Sequence, residues 1–200
     1  MPTEITQDCS LTDAAYLKLK HSAGLGYADY LATGTPDQQA GWSKIYDQVT
    51  LNESQRDTLG GFVREIKVLA VSGIWCGDCV RQGPMLHRIA EGSNGKIDLK
   101  WLDRDEHIEL QEKVKICAGN RVPVVIFAAE DFELVGYEGD KLLSRYRAMA
   151  KSALGPNCPL PGAPVPQDEL DAELADWVDA FERVHLILRL SGRLRKKHGD

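Results

Sequence analysis

The stretch Lys67-Val68-Leu69-Ala70-Val71-Ser72-Gly73-Ile74-Trp75-Cys76-Gly77-Asp78-Cys79 decides how this chain is read. Residues 67–71 form a short apolar run with β-branched members, which suits a strand buried on both faces of a parallel sheet. Ser72 and Gly73 end it. After Cys79, the residues Val80, Met85, Leu86, Ile89 and Ala90 recur at helical spacing, with Pro84 among them predicting a kink. The two cysteines therefore stand where a strand hands over to a helix. A pair at this spacing can exchange electrons as dithiol and disulfide, hold half of a metal site, or close one helical turn as a structural bridge. The junction favours the first use.

Reading outward, Gly92-Ser93-Asn94-Gly95 breaks the helix, and Ile97, Leu99 and Trp101 alternate with Asp98 and Lys100 as a second strand. Residues 107–116 read as a helix and 122–129 as a third strand opened by Pro123. Glu130-Asp131 turns the chain into a fourth strand over 132–137, and 141–153 reads as a closing helix. The order βαβαββα predicts an α/β core, with a right-handed crossover for each parallel pair.

Residues 11–66 read as a helical preamble packed onto that core. Ser10 and Asp13 precede Leu11, Ala15, Leu19 and Ala23 at helical spacing. Thr35-Pro36-Asp37-Gln38 carries a capping hydroxyl, a first-turn proline and a glutamine at the third position, ahead of Trp42, Ile45, Tyr46 and Val49. Asn52 and Gln55 repeat the signal before Leu59, Phe62, Val63 and Ile66. Five prolines between 155 and 166 predict a semi-rigid linker. Beyond it, Leu170, Leu174, Trp177, Val178, Phe181, Val184 and Leu188 form one apolar helical stripe. Acidic residues fill 168–182 and basic ones 183–197, the order that the helix dipole favours. The nearly all-apolar run 184–190 predicts burial against the preamble or in a homodimer through this C-terminal helix. The expected organisation is an extension over 1–66, a domain over 67–153, a linker over 154–167, and a helix with a basic tail over 168–200.

A formal charge of -6 on 200 residues argues against nucleic acid or an anionic membrane as the main partner, since both reward a basic face. The polar N-terminus does not read as a secretory signal, and no apolar run approaches the length of a spanning helix. The expected compartment is the cytoplasm. Five cysteines (Cys9, Cys76, Cys79, Cys117 and Cys158) are too sparse for a disulfide framework. His107 with the cysteines lacks the second close pair of a structural zinc site, so no metal is expected.

With this order in view, residues 67–153 resemble the thioredoxin superfamily. Trp75-Cys76-Gly77-Asp78-Cys79 is similar to its Trp-Cys-x-x-Cys motif, Pro84 falls where the family carries its kink proline, and Val122-Pro123 matches its cis-proline. The resemblance implies a thioredoxin-like βαβαββα core with a four-stranded mixed sheet, here with N-terminal helices and a C-terminal helix added. It implies a thiol-disulfide oxidoreductase needing no cofactor, acting on protein disulfides and recharged by an upstream reductase. Two departures stand out. Gly77-Asp78 replaces the usual Gly-Pro, and Ala70 replaces the buried aspartate six residues before the first cysteine, so proton transfer at the resolving cysteine needs another group.

The chemistry assigns roles. A thiolate attacks a disulfide through a mixed disulfide, which a second thiol must resolve. Cys76 stands at a helix N-terminus, where free N–H groups lower thiol pKa values to roughly 3.5–7.5 from about 8.5. Cys76 is thus the expected nucleophile and Cys79 the resolving thiol. Asp78 is a candidate for the missing acid, yet its charge beside both sulfurs raises their pKa values, which points to a reducing or moderately poised couple. Trp75, Val122 and Pro123 are the expected substrate-binding residues, and Arg121 flanks them as a possible tuning or steering charge.

Overall fold

A computed structural model describes residues 10–153 and 167–200. Cys9, Cys158 and the proline-rich run lie outside the described residues. The chain forms α1 (Ala14–Ala23), α2 (Tyr27–Ala32), α3 (Pro36–Gln48), α4 (Glu53–Gly60), β1 (Ile66–Ser72), α5 (Gly77–Gly92) and β2 (Ile97–Asp103). It continues as α6 (Ile108–Gln111), β3 (Val124–Ala129), β4 (Leu134–Gly139), α7 (Leu143–Ala153), α8 (Gln167–Leu190) and α9 (Gly192–His198).

The strands build one mixed sheet in the order β2-β1-β3-β4. β1 runs parallel to β2 and antiparallel to β3, and β4 pairs antiparallel at the edge. Both central strands are buried almost throughout, which explains their unbroken apolar runs. The expected α/β fold is therefore what these residues build.

Element ends depart from the sequence reading for local reasons. Gly60 and Gly61 close α4, so Phe62 packs in the core, Val63 faces out, and Ile66 opens β1 instead of lengthening the helix. α6 stops at Gln111 because the chain tightens into i→i−3 bonds, Lys113 N–H to Leu110 O and Val114 N–H to Gln111 O. α2 was illegible: six residues with no side-chain cap carry too little periodicity. On α1 the buried side is Tyr16, Leu17 and His21, while Leu19 is exposed. The caps read from sequence do form, with Asp13 capping α1 and complete capping boxes at Thr35/Gln38 and Asn52/Gln55.

The flanking helices share the sheet's core. Trp42, Tyr30, Leu17 and Leu59 from the preamble, and Trp177 and Phe181 from α8, belong to the same apolar cluster as Val68, Ile89 and Phe127. Tyr30 stacks on Trp101 at 5.4 Å, and Trp42 meets both edge-on. Each such aromatic pair contributes about 0.5–1.5 kcal/mol beyond area burial. Gly83 of α5 permits the contact: a Cβ there would lie 2.0 Å from the Trp42 ring.

On its other side α5 is fastened to α8. Buried Arg81 pairs with buried Glu173 and, at 3.3 Å, with Glu169. Trp177 Nε1–H donates to Gln82 Oε1 at 3.1 Å, and Gln82 Nε2 donates to the Asp140 carbonyl at 2.8 Å. The acidic half of α8 thus has cationic partners beyond its own dipole. The basic tail has partners as well: as α9 it brings Arg193 to Asp131, and Lys197 and His198 to Glu130, clasping the β3–β4 turn. Of the 184–190 run, Val184 and Leu188 are buried, whereas Leu186, Ile187 and Leu190 are exposed.

His185 locks α8 to the end of α4. Its ring stacks on Phe62 at 4.3 Å, and its Nε2 accepts the Val63 N–H at 3.0 Å, which requires an unprotonated nitrogen there. Burial, helped by Arg189 and Arg64, holds its pKa below the ordinary 6.5. A lowered folded-state value means that this contribution to stability is complete above about pH 6.5 and is lost as pH falls towards the folded value. The urea midpoint of wild type should therefore drop between pH 7.5 and pH 5.5 more than that of His185→Gln, whose amide oxygen accepts the same N–H without titrating.

Candidate active site

The loop between β1 and α5 is set by backbone bonds and by a preamble side chain. Cys76 N–H donates to Gly73 O at 2.9 Å, and Val80 N–H returns to Cys76 O at 2.9 Å, so Cys76 occupies the N-cap of α5 with an extended backbone. Trp42 Nε1–H reaches from α3 to the Ile74 carbonyl at 3.1 Å, pinning the residue before Trp75. Position in the helix then separates the two sulfurs: Cys76 is partly exposed and Cys79 fully buried.

Their electrostatics diverge accordingly. The Cys79 thiol donating to the Cys76 sulfur is the largest influence on Cys76; burial opposes it, the N–H groups of Cys79 and Asp78 reinforce it, and the Asp78 charge opposes weakly. The outcome is a Cys76 pKa drawn down from 9.0 to about 6. Burial pushes the Cys79 thiol well up, and the Cys76 sulfur pushes it further. The Gly73 N–H points at Cys79 Sγ from 3.5 Å.

The second loop closes over Cys76. The Val122–Pro123 peptide is cis, as the sequence resemblance implies, and Cys76 Sγ lies 3.7 Å from the Val122 carbonyl oxygen. Gly139, paired with Val124, supports this loop in a conformation of positive φ; a Cβ on it would fall 2.3 Å from Pro123 O. Trp75 is half-exposed beside the cysteines, with the Arg104 guanidinium 4.7 Å from its ring centre.

The other residues singled out from sequence are placed differently from a bare reading. Asp78 does not stand as an isolated charge: Lys141 Nζ sits 2.8 Å from its carboxylate and 3.1 Å from that of Asp140. Arg121, half-exposed, turns its guanidinium to Asp140 at 3.2 Å. Tyr146 donates to the same carboxylate. Cys117 is exposed on the loop ahead of Arg121. His107 lies beside Lys20, at 3.4 Å, and lines a cavity behind the Ile74 loop. Among the described residues no three His, Cys, Asp or Glu side chains gather as a metal site, and no helix is long and apolar enough to cross a membrane.

Sequence reasoning missed Trp42, Lys141 and Asp140 as residues of the site, because each reaches it from a distant element.

With the dithiol at a strand-to-helix turn opposite a cis-proline loop, the comparisons with known proteins become informative. A family model described as thioredoxin matches residues 24–140. The chain belongs to the thioredoxin family. The match starts ahead of α2, so it takes in most of the preamble as well as the sheet. A protein of unknown function from Pseudomonas aeruginosa, known from a crystal structure, is 15% identical with a TM-score of 0.64, over 85% of this chain and 95% of its own. An HIV epitope-scaffold is 16% identical with a TM-score of 0.55, over 86% of this chain and 92% of its own. At such identities the likeness is one of fold. No curated protein matches.

The thiol pKa values can be read by alkylation. The rate of Cys76 modification by iodoacetamide should rise with pH about a midpoint near 6, and Cys79→Ala, which removes the donating thiol, should shift that midpoint upward. A wild-type midpoint at the ordinary thiol value would refute the arrangement.

Proposed function

We propose that this protein is a thiol-disulfide oxidoreductase that reduces protein disulfides through a Cys76/Cys79 dithiol-disulfide couple. The observation that carries the reading is the unequal pair: a partly exposed thiol drawn down to about 6 next to a buried thiol pushed up. At neutral pH Cys76 is then the thiolate and Cys79 the retained thiol, as attack followed by resolution requires.

Cys76 Sγ attacks one sulfur of the substrate disulfide, and the departing sulfur leaves as a thiolate. Cys79 then attacks Cys76 Sγ, releasing the second substrate sulfur and leaving the Cys76–Cys79 disulfide, which an upstream dithiol reductase returns to the reduced state. The Val122 main chain beside Cys76 and the exposed Trp75 ring form the surface against which a substrate segment lies. A reducing compartment such as the cytoplasm suits this direction of flow.

A second reading, a thioredoxin-fold binding protein or redox sensor, draws on Ala70 standing where a buried acid would assist turnover and on the extensive flanking helices. Turnover separates the two. Wild type should reduce protein disulfides, Cys76→Ser should lose at least about a hundredfold, and Cys79→Ser should accumulate a mixed disulfide through Cys76. A redox titration should give a reducing or moderate potential. Equal activity in wild type and Cys76→Ser would favour the binding role.

A further inference from the structure

α7 lies on α8 by one side only, and none of its residues is buried. Ser144 N–H donates to Asp176 at 2.7 Å and Arg145 pairs with Glu169 at 3.1 Å, which turns these two residues towards α8. Helical spacing sends Leu143, Tyr146 and Met149 the other way, and they are 57%, 42% and 41% exposed. Side chains three apart share a helix face, so the three form one apolar row. Arg147 and Lys151, four and eight residues beyond Leu143, run along its flank, both exposed. α7 has no acidic residue, and of its cations Arg145 alone makes an ion pair among the described residues.

This face starts at the dithiol. The Tyr146 hydroxyl donates to the buried Asp140 carboxylate, which also holds Lys141 at 3.1 Å and Arg121 at 3.2 Å. Lys141 reaches on to Asp78, between the two cysteines in the first turn of α5, at 2.8 Å. Arg121 precedes Val122, whose carbonyl oxygen lies 3.7 Å from Cys76 Sγ. One buried carboxylate therefore ties the near end of α7 to the cis-proline loop and to the start of α5.

Exposed apolar side chains rimmed by polar ones mark an interaction surface. The rim selects the occupant. On a chain of net charge -6, a local run of unpaired cations favours an acidic partner. A second copy does not supply one, because α7 set against its own copy places cations opposite cations. Residues 154–166, which follow α7 in the chain, carry no charge.

We propose that the outer face of α7 docks the substrate protein, taking an acidic segment with apolar side chains that adjoins the target disulfide. This rests on the oxidoreductase reading above and names its substrate class. The apolar side chains of the segment lie along Leu143, Tyr146 and Met149, and its carboxylates meet Arg147 and Lys151. Docking holds the disulfide at Cys76 and adds no covalent step, so it acts on the efficiency of capture.

The test uses the reduced full chain and three disulfides. Two are synthetic peptides with one internal disulfide followed by a segment alternating leucine with glutamate in one and with lysine in the other. The third is hydroxyethyl disulfide, neutral and too small to reach α7. Second-order rates are read by acid quench and mass spectrometry. In wild type the glutamate peptide should react about tenfold faster than the lysine peptide at low salt, and added salt should shrink the gap. Arg147→Glu with Lys151→Glu should reverse the order. Leu143→Ser with Met149→Ser should slow both peptides about tenfold. Hydroxyethyl disulfide should react at one rate in all three proteins, which reports an intact dithiol. Equal rates for the two peptides in wild type, or a gap that survives the charge reversal, overturn the docking surface while the reduction of hydroxyethyl disulfide keeps the oxidoreductase reading. A wild-type dimer that Leu143→Ser with Met149→Ser converts to monomer assigns the face to a second copy and overturns it as well. A wild type that reduces none of the three disulfides overturns the oxidoreductase reading and the docking surface together.

Discussion

Cys79 enters the first turn of α5 without exposed surface, and a sulfur deprived of water does not hold a charge at neutral pH. One helix N-terminus therefore serves two thiols unequally. The N–H groups of Asp78 and Cys79 converge on Cys76, and the Cys79 thiol, kept protonated by burial, becomes a donor to the Cys76 sulfur. The desolvation that disables one cysteine as an anion thus creates the strongest influence stabilising the other. This asymmetry lasts only while α5 stays seated, the preceding loop keeps its shape, and water stays away from Cys79.

Those conditions are met largely by segments outside the strand-helix core. Trp42 from α3 fills the space left by Gly83 and ties the Ile74 carbonyl, so one indole both seals the back of α5 and fixes the loop that presents Trp75. On the opposite side, α8 holds α5 through Arg81–Glu173 and through Gln82 with Trp177. Removing one partner of a buried ion pair costs about 3–5 kcal/mol, against a total stability of about 5–15 kcal/mol for a typical domain. Burial raises the Glu173 pKa even with Arg81 alongside, so the pair is a demanding contact retained where two helices must keep one register. The flanks are part of what makes the dithiol unequal.

How far the fold was legible follows from which signals are local. β1, the turn at Ser72-Gly73 and the start of α5 depend on neighbouring residues, so the stretch that carries Cys76 and Cys79 was visible in sequence, whereas the cis peptide at Val122-Pro123 followed only from the family resemblance. Capping boxes at Thr35 and Asn52 were equally readable because their partners lie three residues away. Ends set by glycine pairs or tightened turns were not, as at Gly60-Gly61 and after Gln111. Nor were contacts over long separations. Nothing near Trp42 predicts a bond to Ile74, and nothing near Asp78 announces Lys141. The basic tail read as a dipole complement because its acidic partners, Glu130 and Asp131, lie more than sixty residues earlier.

Lys141 alters the weight given to Asp78. Taken alone, that carboxylate raises the thiol pKa values; with an ammonium at 2.8 Å its effect on Cys76 becomes a weak opposing influence, and the net shift is downward. A stabilised thiolate favours the reduced dithiol, and so makes the couple more oxidising, but the size of that effect is bounded. At pH 7 a group titrating near 6 is about nine-tenths ionised, which favours the reduced form about tenfold over an unperturbed thiol. For a two-electron couple a tenfold change is about 30 mV. Reducing and strongly oxidising dithiol proteins lie roughly 150 mV apart. Ionisation of Cys76 covers only a small part of that span, so a low thiol pKa in this protein is compatible with a reducing or moderate couple. A strongly oxidising one would need a disulfide state destabilised by some other means.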